Sequence, residues 1–238
     1  MTELTLPVIG IMKSPYKEKF GIPRQPNLVN VESYIEMSAP FNEISAFDGI
    51  NEFSHLWLVW QFHENKNQDK QTFRPQVRPP RLGGNQKIGV FATRSMYRPA
   101  PIGLSVVQLK EVRKIGKSVR VYVTGSDLLD GTPIIDIKPY IQYSDAIPNA
   151  ISGYAQEQPI SKKVVWDDSV INQFQKWINQ GVIKAQHLNE LEEILALDPR
   201  PTYQNDPSRV YGLNFANMNV KFKVDEDIHV IKLEYFNA

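Results

Sequence analysis

The densest group of residues suited to chemistry lies between residues 89 and 105, in the segment GVFATRSMYRPAPIGLS. Arg94 and Arg98 flank Tyr97 on a loop that is stiffened by prolines and ends at Gly103. Two guanidinium groups beside an aromatic ring are suited to binding a carboxylate, a phosphate or a nucleobase. An arginine-rich turn between two strands explains these residues equally well when they are taken alone.

A second group lies in DLLDGTPIIDIKPY, residues 127–140. Residues 130–133 (DGTP) signal a turn. Asp136, Lys138 and Tyr140 follow at alternate positions of a predicted strand, so their side chains share one face. This polar face could line an active site, or it could be the solvent face of an edge strand.

The histidines do not have the spacing of metal ligands. His55 and His63 are eight residues apart on one predicted strand, which places them more than about 25 Å apart if the strand is straight. The sequence contains no cysteine, so thiolate metal sites, cysteine nucleophiles and disulfides are excluded. We therefore expect no metal. P-loop and dinucleotide-binding glycine motifs are also missing, which argues against a Rossmann site.

Positive charge is concentrated in the segment from Lys70 to Lys110. It holds eight of the 27 basic residues and no Asp or Glu, although the net charge of the chain is only +1. A segment with positive but no negative charges indicates a binding site for an anion or polyanion. Alternatively, it is a solvated face whose counter-charges come from elsewhere in the fold. Phe73 and Phe91 lie in the same stretch, and RNA sites often combine cationic side chains with stacking rings.

The first 150 residues show many short β-patterns, frequent turn signals and almost no helical periodicity. This combination predicts a β-barrel or sandwich. Residues 53–63 carry apolar side chains at both odd and even positions, as in a strand buried on both faces. The predicted strands are 4–12, 53–63, 87–93, 104–112, 118–124 and 133–140.

The pattern changes after about residue 155. One helix is predicted from Ser169 as N-cap to Gly181, and a second, whose apolar stripe runs from Leu188 to Leu195, ends at Asp198-Pro199. Two alternating strands, 220–224 and 229–233, are joined by an acidic turn. The predicted fold is mainly β: a barrel domain over residues 1–155 and a smaller α+β domain over residues 156–238.

The longest apolar run, from Leu56 to Trp60, has five residues, which is far too short to cross a bilayer. The start of the sequence, MTELTLPVIG, lacks the basic region of a signal peptide. Together with the missing cysteines, these features lead us to expect a cytoplasmic protein without a membrane segment.

Several long motifs in a consistent order resemble the TsaA-like family, also called the TrmO family. They are PRQ at residues 23–25, FSHLWLVWQFHEN, ATRSMYRPAPIGLSVVQLKEV, DLLDGTPIIDIKPY and DPRPTYQNDPSRVYGL. The resemblance implies a dimeric β-barrel enzyme that transfers a methyl group from S-adenosylmethionine to N6 of N6-threonylcarbamoyladenosine at tRNA position 37, beside the anticodon.

The resemblance also implies which residues bind the cofactor. One departure from the family pattern occurs at residues 96–100, where the family more often has PFRPN and this chain has MYRPA. Any polar contact that an asparagine makes at that last position is lost with Ala100. The implied cofactor contacts are Pro23, Arg24, Gln25, His63, Glu64, Arg94, Leu104, Leu129, Asp130, Gly131 and Thr132.

Methyl transfer from a sulfonium is an in-line displacement that depends mainly on positioning, and it needs no metal. A base that removes the proton from the acceptor nitrogen would add about 10²–10⁴-fold. Our hypothesis gives this role to Asp136, with Tyr140 and Lys138 orienting it or neutralising charge. The predicted contacts to the RNA, in the anticodon loop, are Arg74, Arg78, Arg81 and Arg98.

Two other interpretations compete with the methyltransferase. A non-catalytic RNA-binding module of the same fold would bind tRNA without binding the methyl donor. A metal-dependent hydrolase that uses His55 or His63 would be sensitive to chelators.

Overall fold

A computed structural model describes residues 4–65, 73–201 and 204–236. The helices are α1 (Gln142–Asp145), α2 (Asp168–Asn179) and α3 (His187–Ala196). The strands are β1 (Gly10–Lys13), β2 (Glu32–Met37), β3 (His55–Gln61), β4 (Gln76–Val77), β5 (Ile88–Gly89), β6 (Ile102–Ile115), β7 (Ser118–Thr124), β8 (Pro133–Pro139), β9 (Val164–Trp166), β10 (Tyr211–Phe215), β11 (Met218–Val224) and β12 (Ile228–Tyr235).

Six strands close into a barrel in the order β1-β2-β7-β6-β3-β8, and all neighbours in it are antiparallel. Each strand turns alternate side chains inward, and the inward residues are mostly fully buried aliphatics such as Leu56, Leu58, Val121 and Val123. Closure leaves no unpaired edge. The prediction of a mainly β fold with an amino-terminal barrel is confirmed.

Several predicted strand boundaries were wrong. The first strand covers only Gly10–Lys13, and residues 87–93 form a two-residue strand followed by a 3-10 turn at Val90–Ala92. β3 is fully buried on its barrel face alone, because Trp57 and Val59 on the other face are only partly covered. β2 was not predicted, although it is a central barrel strand between β1 and β7.

A β-bulge interrupts the pairing of β8 with β3. Val59 pairs with Asp136, but the next residue, Trp60, pairs with Ile134, so Ile135 has no partner. Ile134 is buried inside the barrel, whereas Asp136 is partly exposed on the outer face. The bulge therefore separates the interior-facing start of β8 from its polar outer end.

The carboxyl-terminal part contains a second sheet in the order β10-β11-β12-β9, packed with α2 and α3 around its own apolar core. The predicted helices and the hairpin between β11 and β12 are confirmed. The N-cap of α2 is Asp167 instead of Ser169, because the Asp167 side chain accepts the amide of Ser169 at 3.2 Å. The boundary at residues 155 and 156 stays a prediction.

The segment between β1 and β2 joins the two parts. Tyr16, Val29 and Val31 are buried in the carboxyl-terminal core, although they flank barrel strands in sequence. Helix α3 binds the same segment from the other side: Glu193 accepts the amide of Asn30 at 2.6 Å. The connection that carries residues 23–25 is thereby fixed at both ends.

Candidate active site

A cavity of about 540 Å³ opens beside the barrel, between the β1–β2 connection, the end of β3, the loop before β6 and the segment after β7. Its wall combines aromatic, aliphatic and charged side chains. The lining residues are Lys19, Ile22, Pro23, Arg24, Gln25, Trp60, Phe62, His63, Glu64, Asn65, Thr93, Arg94, Met96, Arg98, Ile102, Gly103, Leu104, Asp127, Leu129 and Thr132.

Asp130 fastens the β1–β2 connection to the turn before β8. Its carboxylate accepts the amide of Ser14 and pairs with the Lys17 ammonium, both at 2.9 Å. The Asp130 amide in turn donates to the carbonyl of Tyr16. Asp130 is therefore engaged within the protein and acts on the cavity by holding two of its walls together.

An aromatic pair forms the floor of the cavity. Trp60 packs edge-on against Phe62, with ring centroids 4.4 Å apart. The Trp60 ring lies so close to β6 that a Cβ on Gly103 would sit 2.2 Å from it. Only glycine at position 103 allows this close approach, so the PIGLS motif shapes the floor.

The loop before β6 is held by its own arginines. Arg94 donates to the side-chain carbonyl of Gln25 at 2.6 Å, which connects this loop to the β1–β2 connection across the cavity. Arg98 donates to the carbonyl of Thr93 at 2.8 Å. Both guanidinium groups line the cavity and make it attractive to anions.

A carboxylate faces these cations from the segment after β7. Asp127 is partly exposed in the cavity wall and accepts a hydrogen bond from the Ser105 hydroxyl at 2.6 Å. Burial raises the pKa of the Asp127 carboxyl to about 6, against smaller lowering effects of the Ser105 bond, its own amide and the Arg94 charge. The group therefore stays ionised at neutral pH but is unusually basic for an aspartate.

Family comparisons match almost the whole chain. The model of the tRNA-methyltransferase O N-terminal domain covers residues 11–146, and that of the TrmO C-terminal domain covers residues 160–235. The chain belongs to the tRNA-methyltransferase O family. It is 40% identical to the tRNA (adenine(37)-N6)-methyltransferase of Escherichia coli K12, over 98% of this chain and 99% of that protein.

Two further similar proteins come from Pseudomonas aeruginosa. A putative S-adenosylmethionine-dependent methyltransferase is 42% identical over 89% of each chain. A crystal structure of TrmO superimposes with a TM-score of 0.80 at 33% identity and covers 99% of this chain and 98% of that one. The TrmO fold found here therefore matches an experimentally determined one.

The cavity brings together nine of the eleven residues that the TrmO resemblance implies as cofactor contacts. They are Pro23, Arg24, Gln25, His63, Glu64, Arg94, Leu104, Leu129 and Thr132. The other two, Asp130 and Gly131, lie in the adjoining turn. A Cβ on Gly131 would be 3.7 Å from Nε2 of His63, so this glycine borders the site without lining it.

The predicted catalytic trio lies elsewhere. Asp136 and Lys138 lie on the outer face of β8, Tyr140 follows the end of this strand, and none of the three lines the cavity. Asp136 forms an ion pair with Lys138 at 2.9 Å, and Tyr140 packs against the rings of His55 and Trp57. Asp136 and Lys138 do share one face of β8, as expected, but neither they nor Tyr140 belong to the cavity wall.

The predicted RNA contacts are divided between the cavity and a neighbouring surface. Arg98 lines the cavity and also stacks over the ring of Phe91, at 5.5 Å from its centroid. Phe91 stacks in turn on Phe73, and the two are 68% and 55% exposed. Arg74 lies over Tyr97 nearby, whereas Arg78 and Arg81 lie outside the cavity wall. Lys70, at the start of the basic stretch, lies outside the described residues.

Several residues of the cavity wall were not predicted from the sequence. Trp60 and Phe62 were attributed to the barrel, Lys19 belonged to no motif, and Asp127 opened the DLLDGTPIIDIKPY motif but was given no role. Within the described ranges, no group of three or more His, Asp and Glu residues could hold a metal ion. No helix among these residues is long and apolar enough to cross a membrane.

Proposed function

We propose that this chain transfers a methyl group from S-adenosylmethionine to N6 of adenosine 37 in tRNA, when that adenosine carries a threonylcarbamoyl group. Membership of the TrmO family and the names of the relatives support methylation of adenine 37. The cavity carries the proposal, because it gathers side chains from four separate motifs. The more specific part of the proposal, that the adenosine carries a threonylcarbamoyl group, rests on the family resemblance.

The cavity suits the methyl donor in size and chemistry. Its volume of about 540 Å³ lies within the usual range for small-ligand sites, about 300–1,000 Å³. S-adenosylmethionine supplies an activated methyl group on a positively charged sulfur. Trp60, Phe62 and Leu104 offer surface to its adenine, and Arg94 offers a partner to its carboxylate.

Catalysis by this site would depend on rigid positioning. The Asp130 contacts hold two walls, the Arg94–Gln25 bond joins two loops, and Gly103 seats the Trp60 ring. A preorganised cavity places donor and acceptor in line at little entropic cost during the reaction.

The RNA would approach over the basic aromatic surface, which we define as Phe73, Arg74, Phe91, Tyr97 and Arg98. Exposed stacked rings offer a base-stacking platform, and arginines beside them attract the phosphate backbone. Since Arg98 belongs to both this surface and the cavity wall, a nucleotide on the platform would lie next to the methyl donor. Arg78 and Arg81 would extend the contact to the anticodon loop.

The hypothesis that Asp136 acts as the base, with Lys138 and Tyr140 assisting, stays a prediction, although none of the three residues lines the cavity. One oxygen of Asp136 pairs with Lys138, and the other accepts the amide of Ile137 at 2.9 Å. Both oxygens of Asp136 are therefore engaged by neighbouring residues, outside the cavity wall.

We also propose that the protein is a homodimer and acts in the cytoplasm. The family resemblance supports the dimer, and a tRNA substrate supports the location. Sedimentation velocity would report a mass twice that of the 27.3 kDa chain. A monomer at micromolar concentration would contradict the first part.

The test of the proposed function is a methylation assay with two tRNA preparations that differ only in the threonylcarbamoyl group. We expect methyl incorporation only into the modified tRNA, located at N6 by mass spectrometry of nucleosides, and no effect of EDTA. Binding of tRNA without binding of S-adenosylmethionine would instead support the non-catalytic module. Chelator-sensitive hydrolysis would support the hydrolase.

A further inference from the structure

Asp127 is a carboxylate of the cavity wall that is held by a hydrogen bond from strand β6. Its Oδ1 accepts the Ser105 hydroxyl at 2.6 Å, and the Ser105 oxygen accepts the indole N–H of Trp60 at 3.0 Å. Ser105 is fully buried, so this chain of bonds runs within the wall. This chain of bonds holds Oδ1 of the carboxylate, and Asp127 itself lines the cavity.

The surroundings of Asp127 make it a stronger base than an exposed aspartate. Burial is the main cause of its raised pKa, about 6, and the Arg94 charge only partly offsets it. A general base works best when its pKa is close to the working pH. The other charged or titratable groups that face the cavity are Lys19, Arg24, His63, Glu64, Arg94 and Arg98.

We propose that Asp127 is the catalytic base that accepts the proton of the acceptor nitrogen during methyl transfer, an inference that rests on the proposed function. The nitrogen forms a bond to the methyl carbon while the carbon–sulfur bond breaks and its electron pair goes to sulfur. The N–H proton passes to Oδ2 of Asp127. Water takes that proton when the products leave, and the carboxylate is restored.

The other carboxylates fit this role less well. Asp136 lies outside the cavity wall and is paired with Lys138. Glu64 lines the cavity at the end of the segment after β3, where the Lys19 ammonium contacts its backbone carbonyl. Asp127 alone among these three combines a place in the wall with the Ser105–Trp60 chain.

The experiment compares the wild type with Asp127→Asn and Asp136→Asn. Asparagine at position 127 keeps the shape and still accepts the Ser105 hydroxyl, but it cannot take a proton. We expect Asp127→Asn to slow single-turnover methyl transfer about 10²–10⁴-fold, while its affinity for S-adenosylhomocysteine, measured by calorimetry, stays within about threefold. Wild-type activity in the same assay establishes the proposed function independently of this result.

A readout without turnover comes from the free protein. Carboxyl-carbon NMR of aspartate-labelled protein should show one resonance that titrates near pH 6 and disappears in Asp127→Asn. The wild-type rate should fall tenfold per pH unit below 6 and level off above it. This fall of the rate at low pH, the acid limb of the profile, should persist in His63→Gln, because Asp127 and not the imidazole of His63 causes it.

Three results would overturn the inference. Asp127→Asn could keep its rate while Asp136→Asn loses it, which would return the role to Asp136. Asp127→Asn could lose S-adenosylhomocysteine affinity as much as rate, which would make Asp127 a donor-binding group. If Asp127→Asn does not fold, the pH dependence of the wild type decides. A wild-type rate that is constant from pH 5 to pH 8 would then overturn the inference.

Discussion

The hydroxyl of Ser105 donates a 2.6 Å hydrogen bond to the carboxylate of Asp127, across 22 residues of sequence. Ser105 belongs to β6, which pairs with β3 on one side, and Asp127 follows β7, which pairs with β6 on the other. The bond therefore connects the barrel interior to the cavity wall. Its energetic effect on Asp127 can be measured separately from the effect of burial.

Replacing Ser105 with alanine should move the acid limb of the pH–rate profile to higher pH. The Ser105 bond stabilises the ionised form of Asp127 and so lowers the pKa of its carboxyl, whereas burial raises it. Without the bond, the effect of burial is offset less, and the pKa rises above about 6. Single-turnover rates between pH 5 and pH 9 measure the shift. Ser105→Thr, which keeps the hydroxyl, is the matched control. An acid limb at the same pH in all three proteins would show that the bond does not tune Asp127.

Replacing Asp127 with asparagine should stabilise the folded protein at alkaline pH. The folded-state pKa of about 6 lies above the usual value of 3.8, so the wild type loses stability as pH rises from about 4 to 6. Because a pKa difference of one corresponds to about 1.4 kcal/mol, the cost of the buried charge at pH 8 is at most about 3 kcal/mol. Asparagine removes this cost but gives no advantage at pH 4.

Urea unfolding of wild type and Asp127→Asn at pH 4 and pH 8 measures this difference. Asp48→Asn, a substitution on an exposed loop, serves as the control and should change the free energy of unfolding little at either pH. Equal stability of wild type and Asp127→Asn at pH 8 would mean that the carboxylate is better solvated than its position suggests.

Much of the fold follows from local patterns in the sequence. The valine alternation of β7 and the apolar stripes of α2 and α3 specify which faces are buried, and the structure agrees. β2 escaped prediction because its buried positions include a serine. Ser33 is 2% exposed and accepts a hydrogen bond from Ser126, a compensation that depends on a residue 93 positions away.

The candidate site was only partly predictable for a similar reason. Alternation correctly placed Asp136 and Lys138 on one face of β8, but alternation does not tell which face of a barrel strand adjoins a cavity. Asp127 sits beside a turn motif and looks like part of it. Its environment depends on Ser105 of strand β6, which binds the carboxylate and itself accepts the indole N–H of Trp60 from strand β3.

Removing Arg94 should weaken binding of the methyl donor. Its guanidinium lines the cavity and holds Gln25 at 2.6 Å, so alanine removes both a charged partner and the connection between two loops. Loss of a charge-assisted hydrogen bond corresponds to about 1.5–3 kcal/mol, or about 10–100-fold in the dissociation constant. Calorimetry with S-adenosylhomocysteine measures it. Arg113→Ala, which breaks an exposed pair with Glu111, is the control and should leave the affinity unchanged.

Substitutions on the basic aromatic surface should separate stacking from charge in tRNA binding. Phe73→Ala and Phe91→Ala remove the exposed stacked rings, so each should weaken binding by about 1–3 kcal/mol without changing the salt dependence. Arg74→Ala should instead lower the slope of log affinity against log salt by about 0.7–0.9, because one phosphate contact is lost. Tyr143→Ala, which alters an exposed ring on α1, is the control for aromatic loss. Fluorescence anisotropy at several salt concentrations measures both quantities. If both phenylalanine variants bind tRNA like the wild type, the exposed rings have another role and the path of the RNA lies along the arginines alone.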